Sequence, residues 1–379
     1  MRLATTSSVP DNALLARDVQ IGRADGIPLL RAGVILNARY REGLARAGIH
    51  AVYIEDALGE GIDVDQLVSD ETRSVATRAV ADAYKSAKAK TAAGQPLEES
   101  TIDNLSGVVE RILAEIEATG GAALALADLC AADGYTFQHS VDVTALGLLL
   151  GRHMLQERGW LDYKGERRFN RFDERLLQLG LGLVLHDIGK LVVPTEIVQK
   201  PGKLTAAEWE LMKTHPRAGF ELLSASPVSP LVKSVVLRHH ERWNGSGYPD
   251  GRQGTGIHEM ARIAAVADVY DAVTSARPYS GSKPPHEGVR LILDGGAEQL
   301  FDPYVVDVFS RLVAPFPPGV EIDLADGRRG IVVSVPEDEL DRPVVRVTSG
   351  PGAPYEVSLQ TDRTMEIAGW ESLAARAVA

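Results

Sequence analysis

Eight of the nine histidines in this 379-residue chain fall between residues 135 and 313, a block whose apolar residues recur at helical spacing. An imidazole or carboxylate on the inner face of a helix needs a partner once it is buried. The block is therefore constrained to fold as a helical bundle that gathers several of these side chains into one satisfied cluster. Helix signals recur through it. Thr205 stands three residues before Glu208, a capping box ahead of Leu211, Met212 and His215. Residues 259–276 (EMARIAAVADVYDAVTSA) carry Asp268 on a helical apolar pattern. Residues 156–175, polar and arginine-rich, read as a solvated loop between helices.

The flanks have a different texture. Residues 12–55 read as short strands around glycine-rich turns, a helix over 38–47 and a strand over 50–54. Residues 70–134 turn helical and read as a connector. Beyond the proline-rich APFPPG come five short apolar runs (VEIDL, GIVVSV, PVVRVT, YEVSL, MEIAG), the pattern of a small β module. The chain is thus expected to be mainly α. A small N-terminal α/β module (1–69) and a helical connector (70–134) precede the catalytic bundle (135–315), and a small C-terminal β module (316–379) follows it.

Composition narrows the class of partner. No apolar run approaches the roughly 20 residues that span a bilayer, and MRLATTSSVPDN lacks the apolar stretch of a signal peptide, so a cytoplasmic protein is expected. Cys130, the single cysteine, forms no intrachain disulfide and reads as a buried thiol in a reducing compartment. A net charge of -12 argues against nucleic acid polymers and anionic membranes, which need many cation contacts. A small anionic ligand in a locally basic pocket is compatible with it.

The strongest local signal is His186-Asp187, at the end of the apolar run LQLGLGLVL and followed by Ile188-Gly189-Lys190. A divalent metal would supply the partner that a carboxylate needs there. Imidazole with carboxylate suits iron, manganese or zinc, and one carboxylate can bridge two ions. The pair alone is weak evidence. Joined by His139, His215, the doublet His239-His240 and Asp268, each on or at the end of a helical segment, it points to metal. His50, His153, His258 and His286 belong to no such set and read as structural or exposed. After the doublet, Gly245, Gly247 and Gly251 surround Tyr248-Pro249, a tight loop able to hold backbone close to a ligand.

HDIGK (186–190), HPRAG (215–219), HHERWNGSGYPDG (239–251) and RIAAVADVYDAVTSARPY (262–279) together resemble the HD-GYP family of the HD phosphohydrolase superfamily. The flanking modules are more loosely similar to small domains carried by some members. The resemblance implies a helical HD-type catalytic bundle and a centre of two or three divalent ions, often iron or manganese. His139, His186, Asp187 and Asp268 would hold one ion, with Asp187 bridging to a second completed by His215, His239 and His240. Lys190 would contact the scissile phosphate or position the nucleophile. Gly247, Tyr248 and Pro249 would shape the substrate pocket and meet diguanylate cyclase-type signalling domains. Arg277, with a planar fork that suits a phosphate or a guanine edge, is a further substrate contact. Lys283 stands displaced from the basic residue common after the family's Arg-Pro-Tyr element, and Asn244 replaces a common aspartate.

The implied activity is hydrolysis of cyclic di-GMP to pGpG, with further cleavage to GMP left open, and a homodimer is left open too. Another cyclic dinucleotide as substrate, or a sensor that binds without turnover, are the rivals; the intact ligand set weighs against the sensor. Some members hold a third ion through a glutamate near the upstream histidine. Here the position one turn before His139 is Tyr135, a poor ligand for a hard cation, and Asp133 is offset by six residues, so a two-metal centre is expected.

Overall fold

The computed structural model describes residues 1–19, 27–92, 95–119, 135–162, 164–200, 202–275 and 283–373. Cys130, Asp133 and Arg277 lie outside the described residues. The N-terminal module consists of β1 (Arg2–Thr5), β2 (Leu14–Leu15), α1 (Ala38–Arg46) and β3 (Ala51–Glu55), with an antiparallel sheet in the order β1-β3-β2. Asn37 starts α1 by accepting the amide of Tyr40 at 3.1 Å. The helix and β3 match the sequence expectation to within a residue. Strand β1 was not expected: its partner is distant in the chain, Arg2 facing Ile54.

A helical body follows. It contains α2 (Asp70–Ala92), α3 (Glu99–Ala118), α4 (Tyr135–Arg158), α5 (Phe172–Val184), α6 (Thr195–Val198), α7 (Ala206–Met212), α8 (His215–Leu222), α9 (Pro230–Arg238), α10 (Glu259–Thr274), α11 (Pro285–Ala297) and α12 (Pro303–Leu312). Helices α2 and α3, read as a connector, place Val80, Tyr84, Leu105, Val109 and Ile112 in the same core as α4, α5, α9 and α10. Between α4 and α5 the expected solvated loop is instead a short hairpin of β4 (Trp160–Leu161) and β5 (Arg167–Arg168). Asp162 folds its turn by accepting the amides of Lys164 and Glu166 at 2.8 and 2.9 Å. The capping box at Thr205 and Glu208 is present at the head of α7.

Helix α5 sits at the centre of this body. Leu176 and every residue from Leu179 to Val184 are buried, so its C-terminal half is enclosed on all sides, covered by α3, α4 and α9, while Asp173 and Glu174 at its start are exposed. Its end delivers His186 and Asp187, followed by a 3-10 turn at Ile188–Val192.

The C-terminal module is an antiparallel meander of β6 (Glu321–Asp323), β7 (Arg329–Ser334), β8 (Val344–Val347) and β9 (Tyr355–Ser358). The fifth run, MEIAG, contributes only a bridge from Ile367 to Leu324. The two terminal modules join. Leu3 donates its amide to Gly319 O at 2.8 Å, and Arg2 pairs with Asp56 and Glu321. Arg346 donates to the carbonyls of Leu58 and Glu60 at 2.8 and 2.7 Å, and Tyr53, Ile62, Val64 and Ile331 share a small core. Among the described residues no helix is long and apolar enough to cross a membrane.

Two motif glycines bring the 3-10 turn against α8. A Cβ at Gly189 would lie 1.9 Å from His215 O and 2.5 Å from Gly219 N, and one at Gly219 would lie 3.1 Å from Gly189 N. Gly189→Ala should lower stability by about 1–3 kcal/mol, because the obstacle is backbone and must shift. Gly107→Ala, exposed on α3 with nothing within 4 Å of the added carbon, should be neutral or stabilising by up to about 1 kcal/mol. Thermal denaturation of the two variants checks this.

Candidate metal centre

Three histidines reach the centre by the same local device. His186 follows the end of α5, His215 follows α7 and His239 caps α9. In each, Nδ1 donates to the carbonyl three residues back: Leu183 O at 2.6 Å, Met212 O at 2.8 Å and Val236 O at 2.9 Å. A carbonyl only accepts, so these Nδ1 atoms carry the proton and each Nε2 presents a lone pair. The bond adds a donor to a carbonyl at a helix end, where regular intrahelical partners run out.

The exposed lone pairs converge. His215 Nε2 and His239 Nε2 stand 3.2 Å apart, two acceptors facing each other. His186 Nε2 is buried with no hydrogen-bond partner. Burial, the largest influence on each, lowers the pKa of His186, brings that of His215 down to about 4 and pushes those of His239 and His240 well below the ordinary value. The four rings are thus neutral donors, and a divalent cation is the partner their geometry lacks.

Carboxylates complete the set. Asp268, on α10, lies 3.2 Å from His139 Nε2 through Oδ1 and 3.6 Å from His240 Nδ1 through Oδ2. Asp187 turns Oδ1 to His215 Nε2 at 3.3 Å and Oδ2 to His186 Nε2 at 3.5 Å. Burial raises the pKa of both acids, but Lys190 and the imidazoles around Asp187, and the hydrogen bond from His139 to Asp268, hold them well below the usual carboxylate range. Three ligand groups result, each with donor atoms within 4.8 Å of one another: His139, His186 and Asp268; His186, Asp187 and His239; His215, His239 and His240. The first and last share no residue, and the middle one shares His186 with the first and His239 with the last and adds Asp187 between them. All seven metal ligands expected from the sequence therefore converge.

The remaining expected residues divide. Lys190 Nζ donates to Asp187 Oδ2 at 2.5 Å and its side chain is a quarter exposed, so the ammonium stands on the solvent side of the cluster. Tyr248 stacks on His240, with ring centroids 4.7 Å apart at 30°. Its loop closes tightly: a Cβ at Gly247 would lie 2.4 Å from Arg242 N, so close approach requires that glycine. Gly245 and Gly251 take positive φ, 82° and 64°. Lys283 is not gathered in; it is exposed and paired with Glu287 at 2.6 Å.

Two buried acids were missed in the sequence. Glu241 accepts the amides of Asp250 and Arg252 at 2.9 and 3.0 Å and staples the Tyr248 loop shut. Asp271 accepts from His139 Nδ1 at 2.5 Å and from Ser275 Oγ at 2.9 Å, and so turns His139 Nε2 towards Asp268. Its position one helical turn after Asp268 was the available signal. His153 bonds Leu149 O and His258 caps α10, both structural as expected.

Residues 158–305 match the HD domain family and contain both the His-Asp pair and the Gly-Tyr-Pro loop. The chain carries an HD domain. It is 38% identical over 243 residues to a cyclic di-GMP phosphodiesterase of Pseudomonas aeruginosa, covering 64% of the chain and 55% of the relative. It is 45% identical over 141 residues to a cyclic di-GMP phosphodiesterase response regulator of Xanthomonas campestris, covering 37% of each. A 3'3'-cGAMP-specific phosphodiesterase of Vibrio cholerae is 41% identical over 128 residues, 33% of the chain and 24% of the relative. The chain thus spans about half the length of the first of these and less of the others.

Asp271→Ala should weaken divalent metal binding by about 10- to 100-fold, the scale of a lost partner behind a ligating histidine; Asp271→Asn, which keeps an acceptor oxygen, should lose less. Metal titration of EDTA-treated protein reads both. The same metal-free protein should be most stable near pH 6.5. Below the ordinary histidine value of 6.5 its stability should fall as pH drops towards about 4, because His215, His239 and His240 resist protons that the unfolded chain accepts. His139 acts oppositely. Burial lowers its pKa, but Asp268 and Asp271 outweigh that and raise it to about 9, so its contribution is full below 6.5 and fades as pH rises through 9. Melting temperature against pH tests both arms.

Proposed function

We propose that this protein is a metal-dependent phosphodiesterase of the HD-GYP type that opens cyclic di-GMP to pGpG, using two divalent ions, iron or manganese. The observation that carries the reading is the facing pair of Nε2 lone pairs on His215 and His239, set beside a second group of donors and joined to it by Asp187. His139, His186 and Asp268 would hold one ion and His215, His239 and His240 the other. Bound ions supply Lewis acidity, which lowers the pKa of water and offsets phosphate charge.

The chain's own groups do the rest. Lys190, at the solvent side of Asp187, is placed to donate to a phosphate oxygen where charge develops. Tyr248 closes one side of the approach, with its phenol kept protonated because burial, the main influence, raises its pKa. Gly247 and Pro249 hold it there, and their loop is the surface on which a diguanylate cyclase-type domain would dock.

A mixed cyclic dinucleotide is the second reading, favoured by the relative named for 3'3'-cGAMP. Anaerobic assay of metal-loaded protein against cyclic di-GMP and 3'3'-cGAMP separates the two; turnover of neither would overturn both. Asp187→Ala should abolish turnover and lower metal content together. Lys190→Ala should keep its metal and lose about 10²- to 10³-fold in kcat, the scale for one electrostatic donor.

A further inference from the structure

Three of the four tryptophans are covered by an arginine: Arg175 lies 3.6 Å from the ring of Trp160, Arg262 5.3 Å from Trp243 and Arg290 5.5 Å from Trp370. Trp209 differs, being 46% exposed on α7, a helix that buries none of its residues. It is firmly placed nonetheless, because the capping box and the Lys200–Glu208 ion pair at 2.6 Å hold the turn that bears it.

Its surroundings connect it to the metal centre. The Trp209 ring meets Tyr248 edge to face, with centroids 6.2 Å apart at 81°, and Tyr248 in turn stacks on His240. A line of three rings therefore runs from a metal ligand to the rim. Beside it Arg217, Arg238 and Arg252 gather on the single carboxylate of Asp250, which leaves that rim cationic.

We propose that Trp209 is the stacking platform for one purine base of the cyclic dinucleotide, an inference that rests on the phosphodiesterase reading above. The metal centre and Lys190 address a phosphate and leave the bases to find surfaces of their own. An indole offers a broad π-face at little conformational cost, and stacking tolerates either purine because every base has a π-face. Such a platform would serve guanine and adenine alike.

Trp209→Ala, in metal-loaded enzyme, should lower kcat/KM for cyclic di-GMP by roughly 5- to 150-fold, the range for one lost base stack, mainly through KM. Metal content and the rate on methyl p-nitrophenyl phosphate, which has no base, should not change, and Trp209→Phe should recover most of the loss. In EDTA-treated protein, cyclic di-GMP should quench tryptophan emission, an effect lost in Trp209→Phe and kept in Trp160→Phe. An unchanged KM in Trp209→Ala, together with quenching that survives in Trp209→Phe, overturns the assignment and leaves Trp209 as a protein-docking residue. If the native enzyme turns over no cyclic dinucleotide, the phosphodiesterase reading fails by that measurement, while the quenching titration still reports on Trp209 by itself.

Discussion

Two imidazole nitrogens that face each other as acceptors, His215 Nε2 and His239 Nε2, set the terms for this protein. Neither can relieve the other by changing tautomer, because each ring has its second nitrogen tied to a main-chain carbonyl at the end of a helix. His186 repeats the arrangement at the end of α5. The bond that finishes a helix and the bond that aims a metal ligand are the same bond. Local folding of three helices therefore fixes the tautomer of three rings, and burial in the packed body keeps them neutral.

Bringing three helix ends to one point is the harder part, and the packing of the helical body serves it. The C-terminal half of helix α5, buried at every residue from Leu179 to Val184, lies in the middle, and α3, α4 and α9 cover it. The contact between Gly189 and α8 then brings His215 down beside Asp187. Helix α4 supplies His139, and its outer side is closed by α2, where Arg73 pairs with Asp142 and Thr77 donates to Gln138 at 3.1 Å. Helix α2 begins where the joined terminal modules end, so the bundle and the two small sheets are built onto one another without a free linker among the described residues.

What could be read from the sequence follows how local each cause is. The Thr205 capping box, α1 and β3 depend on residues a few positions apart and were legible, and the seven histidines and aspartates that converge, spread over residues 139–268, were readable from their motifs. The Gly-Tyr-Pro loop was legible as a loop, but the need for Gly247 was not, since its obstacle is the backbone of Arg242 rather than a positive φ. Glu241 and Asp271 were overlooked for a related reason. A lone acid beside a motif looks like a solvated residue until the fold buries it against two amides or an imidazole. Strand β1 and the sharing of one core by α2, α3 and the catalytic helices rest on contacts between distant segments, which no periodicity announces. Lys283 misled for the opposite reason: its position after the motif suggested a ligand contact, and a nearby glutamate takes its charge.

An acidic chain with a net charge of -12 and three aspartates buried at its centre is an unexpected host for an anionic ligand. The conflict disappears when distance is considered. In physiological salt an exposed charge is felt over about 8–10 Å, so most of the acidic surface is screened from the centre. Lys190 stands on Asp187 beside donor groups that would hold metal cations, and the Asp250 arginines line the Tyr248 loop. A polymer bearing many phosphates would have to lie across the acidic surface and would be repelled along its length. A ligand with only two phosphates would cover far less of the acidic surface and meet less of that repulsion, so the overall charge favours a small anion over a polymer.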